Sequence, residues 1–271
     1  MIKNSSKLFL VCAIVFSICL FSFCKKSTSQ GTIPPPNNPP PDTSTYQLVW
    51  SDEFDEASID ANVWNFETGG DGWGNHEQEY YQQQNAGIEN GNLVITAKKE
   101  TVGSNHYTSA RMTTQGKKEF TYGKVEARMK MPVGQGFWPA FWMLGSNISS
   151  VGWPVCGETD IMEHINTDST VYGTLHWNNN GHVQDGGNTN SSPSDYHVYS
   201  IEWTVKSIKF YVDSVQYHET LLNAGGTDAF HNSFFILLNF AVGGDWPGQT
   251  IDDSLLPAKM YVDYVKVYQK K

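Results

Sequence analysis

The sequence predicts an all-β protein built from two packed antiparallel sheets. Val125, Ala127, Met129 and Met131 alternate with charged side chains, which is the two-residue period of a strand with one buried face. Gly, Asn, Asp and Ser fill the gaps between apolar segments, and no long helical period occurs. Together these observations favour a β-sandwich.

Composition sets limits on size and on partners. A chain of 271 residues, with 13% aromatic and 17% charged residues, can hold one large all-β domain and a short appendage. The net charge of -10 and the lack of a basic run argue against a nucleic-acid partner. A neutral polysaccharide is compatible with this charge. We expect a monomer.

Residues 1–24 are typical of a signal peptide. Lys3 and Lys7 precede an apolar stretch over 8–23 that is short for a membrane-spanning helix. Cys24 follows it, and the arrangement resembles a bacterial lipoprotein signal in which this cysteine is lipidated. Phe23 occupies a place where a small residue is usual, so plain secretion and an uncleaved anchor remain alternatives. We therefore expect an exported protein, lipid-anchored to a membrane of the cell envelope or secreted.

Residues 25–45 form a polar, proline-rich linker between this signal and a domain over 46–271. Such a segment is extended and semi-rigid, so it predicts a tether that holds the domain away from a membrane. A tail without a function is the alternative. Cys156 lies within the domain, and we interpret it as a buried small hydrophobe rather than a nucleophile.

The domain contains several further strand candidates. Segments 93–97, 198–203, 208–212 and 261–268 have strand character, and the segment 234–240 is apolar enough to be covered on both faces.

One strand candidate, over 153–164, carries three carboxylates. Side chains alternate between the faces of a strand, so Glu158 and Asp160 share one face and Glu163 belongs to the other. A β-bulge near Ile161 and Met162 would bring all three acids together, and bulges are frequent beside active sites. A calcium loop or a solvated acidic face is the alternative, but calcium loops usually carry Gly and Asn between their acids.

Two carboxylates about 5–5.5 Å apart are what a retaining glycosidase needs. We assign Glu158 as the nucleophile and Glu163 as the acid that protonates the leaving oxygen and later activates water. Asp160, between them, would share a hydrogen bond or a proton with Glu158 and keep the pKa values of the two glutamates apart.

The pattern E-x-D-x-x-E within W-P-V-C-G-E-T-D-I-M-E-H resembles the active-site strand of glycoside hydrolase family 16, in the form of its laminarinase-like, endo-β-1,3-glucanase branch. The likeness spans 46–268. Its other motifs are W-S-D-E-F at 50–54, G-W-G-N-H-E at 72–77, E-Y-Y at 79–81, Y-G-K-V-E-A-R at 122–128, G-F-W-P-A-F-W-M-L at 136–144 and L-N-F-A-V-G-G-D-W-P-G at 238–248. Thr159 departs from the aliphatic residue usual in the family, without changing the spacing of the acids.

The resemblance implies a β-jelly roll, of the kind found in concanavalin A-like lectins and glucanases, with a concave catalytic cleft. It also implies substrate contacts from Trp138 and Trp142, which stack on sugars, and from Asn75 and Arg111, which hydrogen-bond sugar hydroxyls. His176 resembles a cleft histidine, and Trp246 lies in a loop that reaches the substrate in relatives. Alternatively, these tryptophans are core residues, Asn75 or Arg111 braces a loop, and His176 is a structural histidine.

The resemblance further implies a structural calcium, held by Glu53, the backbone carbonyl of Gly91 and Asp263. Oxygen ligands of this type suit calcium, although Glu53 and Asp263 could equally be ordinary surface acids. We expect no cofactor for catalysis.

The resulting hypothesis is an endo-acting retaining glycosidase that hydrolyses internal β-1,3 linkages of β-glucans such as laminarin, or mixed-linkage β-1,3-1,4-glucan. An agarase- or carrageenase-like galactan hydrolase and a non-catalytic glycan-binding surface protein are the alternatives. The acidic chain disfavours sulfated galactans, and a pure binder has no use for three mutually repelling acids.

Overall fold

The computed structural model describes residues 45–271. The predicted signal peptide, Cys24 and all of the linker except Thr45 lie outside these residues. No helix within 45–271 is long and apolar enough to cross a membrane.

The described chain is all-β, as predicted. Its strands in chain order are β1 (Tyr46–Asp52), β2 (Asn65–Glu67), β3 (Glu79–Tyr81), β4 (Ala86–Glu89), β5 (Asn92–Ala97), β6 (Tyr107–Ser109), β7 (Arg111–Thr113), β8 (Glu119–Phe120), β9 (Gly123–Lys130), β10 (Phe137–Gly145), β11 (Glu158–His164), β12 (Thr170–Asn178), β13 (His182–Asn190), β14 (His197–Trp203), β15 (Ser207–Val212), β16 (Val215–Leu221), β17 (Phe234–Val242) and β18 (Ala258–Lys270). One short helix, α1 (Ile148–Val151), lies between β10 and β11, and 3₁₀ turns cover Gln83–Asn85, Thr227–His231 and Asp253–Leu255.

Two large antiparallel sheets contain nearly all of these strands. The first sheet has the order β16-β15-β14-β9-β18-β5-β4, with β1 also paired to β18. The second has the order β13-β12-β11-β10-β17-β7-β2, with β8 paired to β17. A small parallel pair, β3 and β6, accompanies them. The predicted sandwich of two antiparallel sheets is therefore confirmed, and so are the strand candidates at 93–97, 198–203, 208–212, 234–240 and 261–268. In the candidate over 153–164 the strand begins only at Glu158, because the residues before it form a turn.

The facing surfaces of the two sheets form one apolar core. Val125, Ala127 and Met129 of β9 are fully buried in it, while Lys124 and Arg128 on the other face are half-exposed. The predicted alternation is present except at Glu126, which is buried and lies 2.6 Å from Lys124, measured between Oε2 and Nζ. Strand β17 is buried along its whole length, as expected for a strand covered on both faces.

Cys156 is buried, with its free thiol packed in a small cluster with Leu144, Phe235 and Leu237. Burial raises the pKa of this thiol to about 11, so it remains protonated at neutral pH. The interpretation of Cys156 as a buried hydrophobe is confirmed.

Candidate active site

Strand β11 contains the bulge that the sequence predicts. Phe141 of β10 pairs with Met162, but the next residue, Trp142, pairs with Asp160, so Ile161 has no partner in that register. The register with β12 shifts between Asp160 and Glu163 as well. Ile161 and Met162 consecutively face the apolar core, which returns Glu163 to the same face as Glu158 and Asp160.

These three acids lie at the middle of an open cleft on the outer face of the second sheet. On one side of them the cleft continues over β10, β17 and the loop that carries Trp73 and Asn75. On the other side it continues over β12 and β13. Both halves share the acids, which therefore sit where a bound chain would cross from one half to the other.

Each acid has a different neighbour. The indole N–H of Trp153 donates to Glu158 Oε2 at 3.1 Å, and that of Trp138 donates to Glu163 Oε1 at 2.9 Å. Asp160 Oδ2 lies 3.0 Å from His176 Nε2, although the ring is not oriented for a hydrogen bond. The two glutamates are thus held separately by tryptophans, with Asp160 between them.

Burial raises the pKa of Glu158, Asp160 and Glu163 each to about 8. For the two glutamates the charge of Asp160 contributes to this increase, while the Trp138 hydrogen bond opposes it on Glu163. The side chain of Glu158 keeps 18% of its surface exposed, against 6% for Asp160, so water favours ionisation of Glu158. The pKa values of Glu158 and Glu163 are thus raised alike, and the two glutamates differ in their hydrogen-bond donors, Trp153 and Trp138.

Arg111 is held between two aromatic rings in the first half of the cleft. Its guanidinium carbon lies 4.9 Å from the centroid of Trp73 and 4.8 Å from that of Trp142, and its Nε donates to Glu67. The Trp142 indole donates in turn to Asn239 Oδ1 at 2.8 Å. Arg111 and Trp142 therefore present fixed groups to the cleft.

A largely buried hydrogen-bond network fixes the Asn75 side chain. The Asn75 amide donates to Glu77 Oε1 at 3.1 Å, and the Tyr81 hydroxyl donates to Glu77 Oε2 at 2.8 Å. The Asn239 amide donates to the Tyr81 hydroxyl at 3.1 Å, which links this network to Trp142. Asn75 thus braces its own loop and lines the cleft as well.

Aromatic rings dominate the second half of the cleft. Trp246 is 40% exposed, and its ring centroid lies 5.7 Å from Trp138 and 4.9 Å from Tyr172. Its loop is joined to the Asn75 loop, because the Asp245 N–H donates to the Asn75 carbonyl at 2.8 Å. His176 lies 2.8 Å from His182, measured between Nδ1 and Nε2. All six predicted substrate residues, Asn75, Arg111, Trp138, Trp142, His176 and Trp246, line this one cleft.

The profile described as "Glycosyl hydrolases family 16" matches residues 73–266. The chain belongs to glycosyl hydrolase family 16. It is 46% identical over 231 residues to the clotting factor G alpha subunit of Tachypleus tridentatus, in a match that covers 83% of this chain and 34% of that protein. It is 41% identical over 245 residues to the beta-glucanase of Rhodothermus marinus, covering 83% of this chain and 85% of that enzyme.

The crystal structure of the laminarinase catalytic domain from Thermotoga maritima MSB8 has the same fold, with a TM-score of 0.77 at 46% identity. That similarity covers 83% of this chain and 99% of the Thermotoga chain. The family 16 chain thus spans about a third of the Tachypleus subunit and almost the whole of the Thermotoga domain. The expected jelly roll is confirmed.

The family 16 cleft also contains residues that the sequence analysis did not select. Trp73, Glu77, Trp153, Tyr172 and His182 line it beside the predicted set. The 49% exposed Trp153 stands five positions before Glu158, and an aromatic residue so close to the acids was a signal that could have been used. Trp73 and Glu77 lie in the motif G-W-G-N-H-E, from which the sequence analysis selected only Asn75, whereas no motif marks Tyr172 or His182.

Glu53 and Asp263, the acids expected to hold calcium, are half-exposed or exposed and are paired with cations. Glu53 Oε2 lies 3.1 Å from Lys266 Nζ, and Arg128 donates to Asp263 Oδ2 at 2.7 Å. Gly91 has a φ of 73°, which fits the tight turn that places its carbonyl. The oxygen donors suit calcium, and each ion pair uses one carboxylate oxygen of its residue.

Proposed function

We propose that this family 16 protein is a retaining endo-glycosidase that hydrolyses internal β-1,3 linkages of β-glucans such as laminarin, and mixed-linkage β-1,3-1,4-glucan as well. The single observation that carries this proposal is the bulge in β11, which places Glu158 and Glu163 on one face in unlike environments. Similarity to a Thermotoga laminarinase and a Rhodothermus beta-glucanase supports the choice of substrate.

The first step is attack of the Glu158 carboxylate on the anomeric carbon. The bond from that carbon to the glycosidic oxygen breaks, and the leaving oxygen takes the proton of Glu163. Trp138, which donates to Glu163, fixes the direction of this carboxyl group. The products of the step are a glycosyl ester on Glu158 and a shortened chain with a new hydroxyl group.

The second step returns the enzyme to its starting state. Glu163, now ionised, takes a proton from water, whose oxygen attacks the anomeric carbon and releases the Glu158 carboxylate. Attack from opposite faces in the two steps retains the anomeric configuration. Asp160 does not bond to the sugar in this scheme, and in its ionised form it raises the pKa of Glu163.

The open cleft supports internal cleavage. It continues on both sides of the acids, so a glycan can occupy both halves while the bond between them is cut. Trp142 and Arg111 face one half and Trp246 faces the other. Aromatic faces of this kind bind the apolar faces of sugar rings.

The test is release of reducing sugar by the purified protein from laminarin, lichenan, agarose and κ-carrageenan, with Glu158→Gln as the control. We expect rapid release from laminarin and a loss of at least a thousandfold in Glu158→Gln, with an unfolding temperature no lower than that of the wild type. Release from a galactan alone would overturn the substrate. Binding without release on all four polymers would instead establish a glycan-binding protein.

We also propose that the protein is exported as a monomer and attached to a membrane of the cell envelope through a lipid on Cys24. The charged and apolar pattern of residues 1–24 supports this proposal. Metabolic labelling with a fatty-acid analogue should mark the wild-type protein and leave Cys24→Ser unlabelled. Label on both forms would contradict lipidation at Cys24, and a dimeric mass by light scattering would contradict the monomer.

The third proposal concerns calcium at Glu53, Gly91 and Asp263. The donors are hard oxygens, and an ion there would compete with Lys266 and Arg128 for the two carboxylates. Calcium should raise the unfolding temperature of the wild-type protein by a few degrees and leave Asp263→Asn unchanged. Equal shifts in the two proteins would place any calcium elsewhere.

A further inference from the structure

His176 and two of the acids form a group of side chains with the spacing of metal ligands. Single ligand atoms of Glu158, Asp160 and His176 all lie within 4.8 Å of one another. His176 Nε2 is 3.0 Å from Asp160 Oδ2 and 3.9 Å from Glu158 Oε1. A tetrahedral zinc ion with bonds of about 2.0–2.2 Å keeps its ligands roughly 3.4 Å apart, a separation that lies between these two distances.

An unsatisfied oxygen points into the same place. Asp160 is 5% exposed, and its Oδ2 accepts no hydrogen bond from any residue that the structure describes. Buried carboxylate oxygens are ordinarily paired, since an unpaired one raises the free energy of the folded state. A bound cation would satisfy this oxygen.

His182 is placed to set the tautomer of His176. His182 Nε2 lies 2.8 Å from His176 Nδ1, and the two rings are stacked with centroids 5.1 Å apart. When His176 donates its Nδ1 proton to His182, its Nε2 carries a free lone pair beside the two acids, 3.0 Å from Asp160 Oδ2. Histidines that bind metals usually donate their other N–H to a fixed acceptor in this way.

We propose that Glu158, Asp160 and His176 form a binding site for a transition-metal dication of the zinc class, oriented by His182 and open to the cleft for a fourth ligand. One imidazole nitrogen with two carboxylate oxygens is a ligand set that zinc and copper accept, whereas calcium and magnesium prefer oxygen alone. The site differs from the proposed calcium site in its residues and in its place in the fold.

The consequence of such binding rests on the proposed function of Glu158. A metal ion bonded to this carboxylate occupies the electron pair that attacks the sugar, and it stands where the substrate must enter. Zinc should therefore inhibit hydrolysis by competing with glycan. Binding itself does not depend on catalysis, so the metal site and the enzymatic function can be tested separately.

The experiment is a titration of the zinc-free protein with Zn²⁺, followed by calorimetry and by thermal unfolding. The buffer contains saturating Ca²⁺, so that zinc does not bind at the proposed calcium site. At about one hundred times the dissociation constant, zinc should raise the unfolding temperature of the wild-type protein by roughly 5–10 °C. His176→Gln should bind zinc at least tenfold more weakly. His182→Leu should weaken binding by about tenfold, because the acceptor for the Nδ1 proton is lost.

The matched control is His197→Gln. His197 also contacts a carboxylate, with its Nδ1 2.7 Å from Asp213 Oδ2, but it lies on β14 of the first sheet. This variant should bind zinc like the wild type. If His176→Gln is poorly folded, Glu158→Gln gives the second test and should also bind at least tenfold more weakly.

Wild-type affinity in both His176→Gln and Glu158→Gln would overturn the site, and so would the absence of any zinc binding by the wild type. Loss of binding in His197→Gln would place the metal on the other sheet. Zinc binding by a protein that is inactive on all four polysaccharides would support the site and contradict the proposed enzymatic function instead.

Discussion

At the scale of residues, the three acids differ less in type than in surroundings. Glu158 accepts from Trp153 and keeps contact with water, whereas Glu163 accepts from Trp138 and is buried beside Asp160. Asp160 lies between them and raises the pKa of both glutamates, so the difference between the two comes from their hydrogen-bond donors and their exposure to water.

Asp160→Asn should shift the alkaline limb of the activity profile to lower pH. Catalysis needs a proton on Glu163, whose pKa is raised to about 8 by burial and then by Asp160, so wild-type activity should fall above about pH 8. Without the charge of Asp160 the pKa of Glu163 decreases, and activity is lost earlier. The measurement is kcat/KM on laminarin from pH 5 to 10. An unchanged limb in the variant would show that Asp160 does not act on Glu163.

Glu79 is a second acid whose surroundings decide its charge. It is fully buried, its Oε2 accepts the Val242 N–H at 2.6 Å, and its Oε1 accepts no hydrogen bond from the described residues. Burial first, and the neighbouring Glu77 second, raise its pKa well above the usual range. A proton on Oε1, shared with Glu77, satisfies both carboxyl groups.

Glu79→Gln should therefore raise stability at neutral and alkaline pH. The folded protein holds the Glu79 proton more tightly than the unfolded chain, so folding loses stability as pH rises from about 4.3, the usual pKa of a glutamate, toward the raised pKa. Glutamine has no such dependence. In thermal unfolding, the variant should match the wild type at pH 4 and exceed it by about 2 °C or more at pH 8.

The control for Glu79→Gln is Glu56→Gln, which changes an exposed glutamate. It should leave the whole curve of unfolding temperature against pH unchanged. A wild-type curve that runs parallel to that of Glu79→Gln would mean that Glu79 is already ionised in the folded protein. Tyr81 is the other titratable neighbour of Glu77, and burial raises its pKa too, so it stays protonated across this range.

At the scale of elements, the bulge in β11 decides which acids meet. Ile161 and Met162 both enter the core, and only this places Glu163 in the cleft. The sequence could predict this feature because three acids at that spacing cannot share a face in a regular strand. It could not predict that Tyr172 of β12 and His182 of β13 line the cleft, because their positions depend on pairing between distant segments rather than on a local period.

Deletion of Ile161 should remove the bulge and keep the three acids on one face. Glu163 would then stand four positions after Glu158, and an even spacing keeps both side chains on the same face of a regular strand. We expect reducing-sugar release from laminarin to persist and the unfolding temperature to fall by about 5 °C or more, because a buried side chain is lost from the core. Ile161→Val keeps the bulge and should retain most activity. A folded deletion variant without activity would contradict the view that the shared face alone decides which acids meet.

At the scale of the whole molecule, alternation and strand-forming residues were sufficient to predict the two sheets. The segment 234–240 was apolar enough to predict a strand buried on both faces, and β17 is one. The order of the strands was not predictable, since β17 lies between β10 and β7, which are far from it in the chain. The resemblance to family 16 supplied the residues of the cleft, whereas physical patterns alone supplied only the acids.

The second half of the cleft is built partly on β13, which is the last strand of its sheet. Every other residue of β13 is exposed, and the loop before it is short. A longer loop before β13, or a further strand paired with it, would extend the glycan-binding surface without moving β11. Related proteins can therefore differ in the length of glycan that they bind while the catalytic acids keep their positions.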